Sequence, residues 1–127
     1  MNNFPLHHVG YVVEDIARYA NNFPCCEYVR TIYDPLQDAD LAIYSLPNAL
    51  IEFIQPKSES SFTYRFRKNF GSGLHQICYE ASSLQDINKA IEKNKMIKIR
   101  GPMKAVLFDR DVVFAMTREK ALIEFIF

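Results

Sequence analysis

The chain has 127 residues, equal numbers of acidic and basic side chains, and is 49% apolar. Zero net charge argues against nucleic acid as an electrostatic partner. No apolar run approaches bilayer-spanning length, and no charged-then-apolar leader opens the chain. Three cysteines, two of them adjacent (Cys25, Cys26), make neither a disulfide framework nor a zinc spacing. The expectation is a cytoplasmic protein with reduced thiols that engages neither nucleic acid nor membrane.

The first strand is predicted at about 6–13, around His7-His8-Val9-Gly10-Tyr11. Ile16, Tyr19 and Phe23 follow at helical spacing and predict a helix over 15–23, ended by Pro24. Strands are predicted near 27–33, 39–46 and 48–54, with a tight turn at Asn48 before the last. Gln55–Gly73 reads as a connector. Its ends, Pro-Lys-Ser-Glu-Ser-Ser and Gly-Ser-Gly, are linker-like, and its basic, aromatic middle over Phe62–Phe70 suits a short helix.

The order then repeats. A strand is predicted at 74–81 and a helix at 83–94, with Ser83 as cap and Asp86 three residues on. Strands near 96–99, 111–116 and 120–126 follow, the last after a turn at Lys120. Gly101-Pro102 and Asp109-Arg110-Asp111 read as turns.

Residues 49–54 read Ala-Leu-Ile-Glu-Phe-Ile, and residues 121–126 read the same, 72 positions later. His7–Tyr11 aligns with His75–Tyr79 at an offset of 68, and the two helices keep that offset. A period longer than half the chain means a duplicated module, not a solenoid. One domain over 1–127 is expected, with module 1 at about 6–56, a connector at 57–72 and module 2 at about 73–127. The fold class is α+β, two tandem βαβββ modules.

The repeat puts Glu52 and Glu124 in the middle of apolar strand runs. Ile51, Phe53, Ile123 and Phe125 mark one buried phase, so each glutamate faces the other way. Solvent is the simple alternative destination for both carboxylates. His7 and His75 share the other strand face from His8 and Gln76, and packing is their expected role. Cys78 reads as core. A solvated face is expected for Arg65, Arg67 and Lys68, with a cofactor phosphate as the alternative.

Two βαβββ modules, His-His-Val-Gly in the first strand, Leu-His-Gln-Ile-Cys-Tyr-Glu in the fifth and Ile-Glu-Phe-Ile closing each half resemble the vicinal oxygen chelate superfamily. Within it, the chain is similar to glyoxalase I and methylmalonyl-CoA epimerase-like proteins. Ile51–Pro56 matches their Glu-Leu-x-x-Pro pattern. Gly73–Glu80 matches Gly-x-His-His-Ile-Ala-Phe-Glu, except that Gln76 stands where most bacterial relatives have a second histidine.

The resemblance implies a mixed sheet curled around a cleft and a divalent metal (Ni, Co, Zn or Mn) held by His8, Glu52, Gln76 and Glu124. Gln76 is either a ligand or the mark of a decayed site. Such a set suits a hard or borderline ion at about 2.0–2.2 Å. The implied activity is that of a lyase or isomerase moving a proton α to a carbonyl through a metal-stabilised enediolate. Glu124 is the first candidate for base and Glu52 the second. Asp34 and Gln37 are candidates to touch a thioester or hemithioacetal substrate, and Arg110, read first as a turn residue, is a candidate to reach a substrate carboxylate. A homodimer is implied too. The alternative is a non-catalytic, drug-sequestering binding protein of the same fold. Ring-cleaving dioxygenase chemistry fits less well, because its iron site wants two histidines and a carboxylate.

Overall fold

The computed structural model describes residues 3–127. Its elements are β1 Leu6–Val12, α1 Ile16–Ala20, β2 Glu27–Asp34, β3 Ala39–Leu46, β4 Ala49–Pro56, α2 Tyr64–Phe70, β5 Gly73–Glu80, α3 Leu84–Lys93, β6 Ile97–Ala105, β7 Arg110–Met116 and β8 Leu122–Ile126. Apart from the connector helix α2, this is βαβββ twice, with both parallel and antiparallel strand pairs. Contacts divide the chain into two compact units. One is Val9–His75; the other joins the residues up to His8 with Gln76–Phe127.

In the Val9–His75 unit the strand order is β2-β3-β4 and then the part of β1 from Val9 on. Both pairings among β2, β3 and β4 are antiparallel. The two-residue turn Pro47-Asn48 sets the β3–β4 register, and Glu52 stands opposite Ile43. Alternation along β4 sends Ile51 and Phe53 into an apolar cluster with Val13, Ala20 and Ala42, joined by Ile16, Tyr19 and Phe23. The helical stripe predicted from spacing therefore covers one sheet face.

Helix α1 is shorter than predicted. Asp15 caps it by accepting the Arg18 N–H at 2.8 Å, and Gln55 Oε1 accepts the Ile16 N–H at 2.9 Å. Asn21 closes it after five residues. Asn21 and Asn22 are weak helix formers ahead of Pro24, so Phe23 reaches the core from a turn.

The connector is anchored where it leaves β4. The Lys57 N–H donates to the Asp38 carbonyl at 2.9 Å. The Asp38 carboxylate accepts hydrogen bonds from Ser58, and from Tyr33 at 2.7 Å. Ser58 first, and Tyr33 after it, hold the Asp38 carboxyl below its ordinary value. A depressed carboxyl contributes stability fully above its unfolded pKa and loses it as pH falls through the folded one. Ser58→Ala is expected to move the Asp38 midpoint up in an NMR titration. Asp38 lies at the surface and is partly exposed, so the shift is expected with little change in the melting temperature.

The other unit has the order β1-β5-β8-β7-β6, entered by the first residues of β1. β5 and β8 run parallel, while β8–β7 and β7–β6 are antiparallel. Ser83 caps α3 as predicted, its Oγ accepting the Asp86 N–H at 3.1 Å. Ile87 and Ala90 of α3 bury against Val113, Ala115 and Phe125. The opposite sheet face carries Cys78, Val112 and Ile126. Faces alternate along β8, so Phe125 belongs to the helix side while Glu124 and Ile126 belong to the other.

The predicted turn at Gly101-Pro102 is corrected. β6 continues to Ala105, and its register against β7 shifts between Arg100 and Met103. A proline has no N–H for the ladder and is tolerated in an edge strand at a bulge; β6 is the last strand in the order. Gly101 has φ +96°, and a Cβ there would lie 2.5 Å from the Val112 carbonyl oxygen. Gly101→Ala is expected to cost about 2–4 kcal/mol from strain and overpacking. Urea denaturation tests this, and an unchanged midpoint would contradict it. The second predicted turn is shorter than expected: Asp109 is in the turn at φ 53°, while Arg110 and Asp111 begin β7.

Candidate functional site

All four predicted ligands are withdrawn from solvent. Relative exposure is 0% for His8, 6% for Glu52, 3% for Gln76 and 5% for Glu124. The solvent-facing alternative for the two glutamates is thereby excluded. Burying a carboxylate is costly unless a charge, a hydrogen bond or a metal compensates.

His8, Gln76 and Glu124 lie in one unit. β1 supplies His8 and β8 supplies Glu124. The His8 Nε2 is 3.1 Å from Glu124 Oε1. On β5 the buried positions are Gln76 and Cys78, with half-buried or exposed residues between and before them. Cys78 is level with Glu124 in the parallel β5–β8 register, so Gln76 shares a strand face with a residue beside Glu124. Glu52 sits in the other unit, at the middle of β4 and at the position of its module that Glu124 holds in its own.

Around His8 the structure adds what spacing could not reveal. His7 Nδ1 lies 2.8 Å from His8 Nδ1. Phe108 stacks on the His8 ring at 5.0 Å and meets the His7 ring edge-on at 4.8 Å. The His8 ring is thus gripped at both nitrogens and on one face. Phe108 comes from the β6–β7 turn, for which no strand or helix pattern gives a signal. The adjacent His7-His8 pair was the one visible hint.

His75 behaves as predicted for a packing histidine. Its ring sits edge-on against Phe66 of α2 at 4.9 Å, away from the buried phase occupied by Gln76. Asp34 and Gln37 are brought together by a turn. Gln37 Nε2 donates to Asp34 Oδ2 and the Leu36 N–H donates to Asp34 Oδ1, both at 2.9 Å. That is a local turn-forming task for a fully buried carboxylate. Arg110 pairs with Glu80 at 2.5 Å. Among the described residues Cys25, Cys26 and Cys78 form no disulfide, and Cys78 is buried. No helix among the described residues is long and apolar enough to cross a membrane.

The donor chemistry fits a divalent ion. An imidazole nitrogen and a carboxylate oxygen at 3.1 Å are close to the separation of neighbouring ligands on one ion. The buried Gln76 carries an amide oxygen, a donor type that hard or borderline metals accept.

Two βαβββ modules, each closing on a strand with a buried glutamate, define a two-module α+β protein of the vicinal oxygen chelate class. The chain belongs to the Glyoxalase/Bleomycin resistance protein/Dioxygenase superfamily, whose pattern it matches over residues 7–114. No protein of curated function matches the sequence. Solved structures share the fold. A hypothetical protein from Bacillus halodurans C-125 superimposes with a TM-score of 0.86 at 22% identity, covering 98% of this chain and 94% of that one. Methylmalonyl-CoA epimerase from Mycobacterium tuberculosis gives 0.82 at 20% identity, with 96% and 86% covered. A Streptomyces coelicolor methylmalonyl-CoA epimerase variant in complex with 2-nitronate-propionyl-CoA gives 0.83 at 14%, with 98% and 94% covered.

Proposed function

We propose that this chain is a metal-dependent isomerase or lyase of epimerase or glyoxalase type, moving a proton on the carbon α to a carbonyl. Its proposed substrates are acyl-CoA thioesters or glutathione hemithioacetals, and its proposed ligand set is His8, Glu52, Gln76 and Glu124. The observation that carries this reading is the buried His8–Glu124 pair at 3.1 Å. It lies in a fold shared with methylmalonyl-CoA epimerases.

A bound divalent ion would supply Lewis acidity toward the substrate oxygens beside the reacting carbon. The chain's own residues do the rest. His8, held by His7 and Phe108, orients one donor. Glu124 takes the proton from the α-carbon at a carboxylate oxygen, and Glu52 is the second carboxylate available to hold or return it. Burial of both carboxylates limits competing protonation by water.

Solvent exchange is the direct test. Dialysed protein, reloaded with Ni²⁺, Co²⁺, Zn²⁺ or Mn²⁺, should catalyse deuterium wash-in at the α-carbon of a thioester or hemithioacetal. No exchange across both substrate classes in fully loaded protein would remove the enzymatic reading. Tight binding of an unreacted small molecule would then favour a sequestering role.

A further inference from the structure

Ligating atoms surround His8 on both sides. His7, His8 and Cys78 each offer one donor atom, all within 4.8 Å of one another, and all three belong to a single unit. We propose that these three side chains form a second metal site, thiolate-containing, for a soft or borderline ion such as Zn²⁺, Cd²⁺ or Cu⁺. Because it shares His8, it competes with the oxygen-rich site. The competition rests on the function proposed above; the thiolate site stands without it.

The geometry carries the assignment. His7 Nδ1 and His8 Nδ1 face each other at 2.8 Å, a spacing that requires one proton between them. An ion replacing that proton meets two imidazole nitrogens. Zinc takes nitrogen at about 2.0–2.1 Å and thiolate at about 2.3 Å, which sets donors about 3.3–3.8 Å apart. The two ring nitrogens, 2.8 Å apart, must open to that spacing, and the Cys78 sulfur, a donor of the same cluster within 4.8 Å, must take it up.

Proton balance is simple. Binding releases the Cys78 thiol proton to solvent. The proton between the rings moves to Nε2, so that both Nδ1 atoms present lone pairs. The His8 Nε2–H then points at Glu124 Oε1, 3.1 Å away. A carboxylate accepting the far N–H of a metal-bound imidazole is the usual outer support of such a ligand. Glu124 is therefore an outer partner when the ion sits on Nδ1 and a direct ligand when it sits on the oxygen-rich side.

The surroundings fit a thiolate ion. Cys78 clusters with Val112 and Ile126, and with Met103 and Phe108. Half-buried His7 leaves a route from solvent. Two imidazoles and a thiolate select softer ions than two carboxylates, an amide and an imidazole do. One neutral imidazole has one lone pair, so His8 serves one ion at a time.

The test uses the full chain with Cys25→Ser and Cys26→Ser, titrated with Co²⁺, Cd²⁺ and Mn²⁺. One equivalent of Co²⁺ should produce a thiolate-to-cobalt charge-transfer band. Cys78→Ser and His7→Phe should each abolish it, and Glu52→Ala should leave it. Glu124→Ala should weaken Co²⁺ affinity about 10–100-fold, as loss of an outer carboxylate does. Cd²⁺-loaded protein should refuse Mn²⁺. No band at saturating Co²⁺, or a band unchanged in Cys78→Ser, overturns the site. If Cys78→Ser fails to fold, His7→Phe with native circular dichroism decides, and a persistent band there overturns the three-ligand assignment. Mn²⁺ uptake without the band overturns this proposal alone. A band without Mn²⁺ uptake overturns the oxygen-rich reading alone.

Discussion

Glu124→Gln is expected to slow metal-dependent exchange of the substrate α-proton by about two to four orders of magnitude, the usual cost of removing a positioned base. Gln keeps the shape of the side chain and one amide oxygen, so part of the metal affinity should survive. It cannot accept the proton. Glu124→Ala removes donor and base together and leaves His8 Nε2 without the carboxylate that sits 3.1 Å away, so metal uptake should fall as well. The pair of variants separates the two roles. Equal exchange rates in Glu124→Gln and wild type, with metal content matched, would move the base elsewhere, Glu52 first.

Phe53→Ala is expected to cost about 3–5 kcal/mol. Phe53 is fully buried, and its ring centroid lies between 5.2 and 6.0 Å from those of Tyr11, Tyr19, Phe23 and Tyr44. These are edge-on or tilted contacts that add to the area buried. The site of truncation is walled by rings from β1, α1 and β3 and cannot collapse cheaply. Domains of this size have about 5–15 kcal/mol in total, so the variant should unfold at much lower urea or temperature. A shift below about 1 kcal/mol would mean that the aromatic cluster relaxes far more than its geometry suggests. Phe53 neighbours Glu52, so the same variant should also weaken any metal site that uses Glu52.

Much of the chain was legible locally. The Ala-Leu-Ile-Glu-Phe-Ile repeat lies in β4 and β8, each the closing strand of its module and each paired antiparallel with the strand before it. Alternation around Glu52 and Glu124 correctly separated the helix-covered face from the other, because strand periodicity is a property of neighbouring residues. The same rule set His75 against Phe66 and Gln76 in the buried phase. Ser83 and its partner Asp86 located the start of α3 for the same local reason.

Other features follow from pairing between distant segments. The length of β6 through Gly101-Pro102 depends on how an edge strand bulges against Val112, eleven residues from Gly101. The 3.1 Å approach of His8 and Glu124 joins residues 116 positions apart. Phe108 reaches both histidine rings from a turn, and no local pattern says where a turn residue will point. His7 and His8 alternate in sequence yet meet through their Nδ1 atoms, because His7 is near the strand's start and its ring turns toward Phe108. Sequence by itself determined the repeated elements, their faces and the candidate donors, since these rest on periods of two and 3.6 residues. Only the tertiary structure decided which donors touch, because those contacts depend on register, twist and rotamer over long separations.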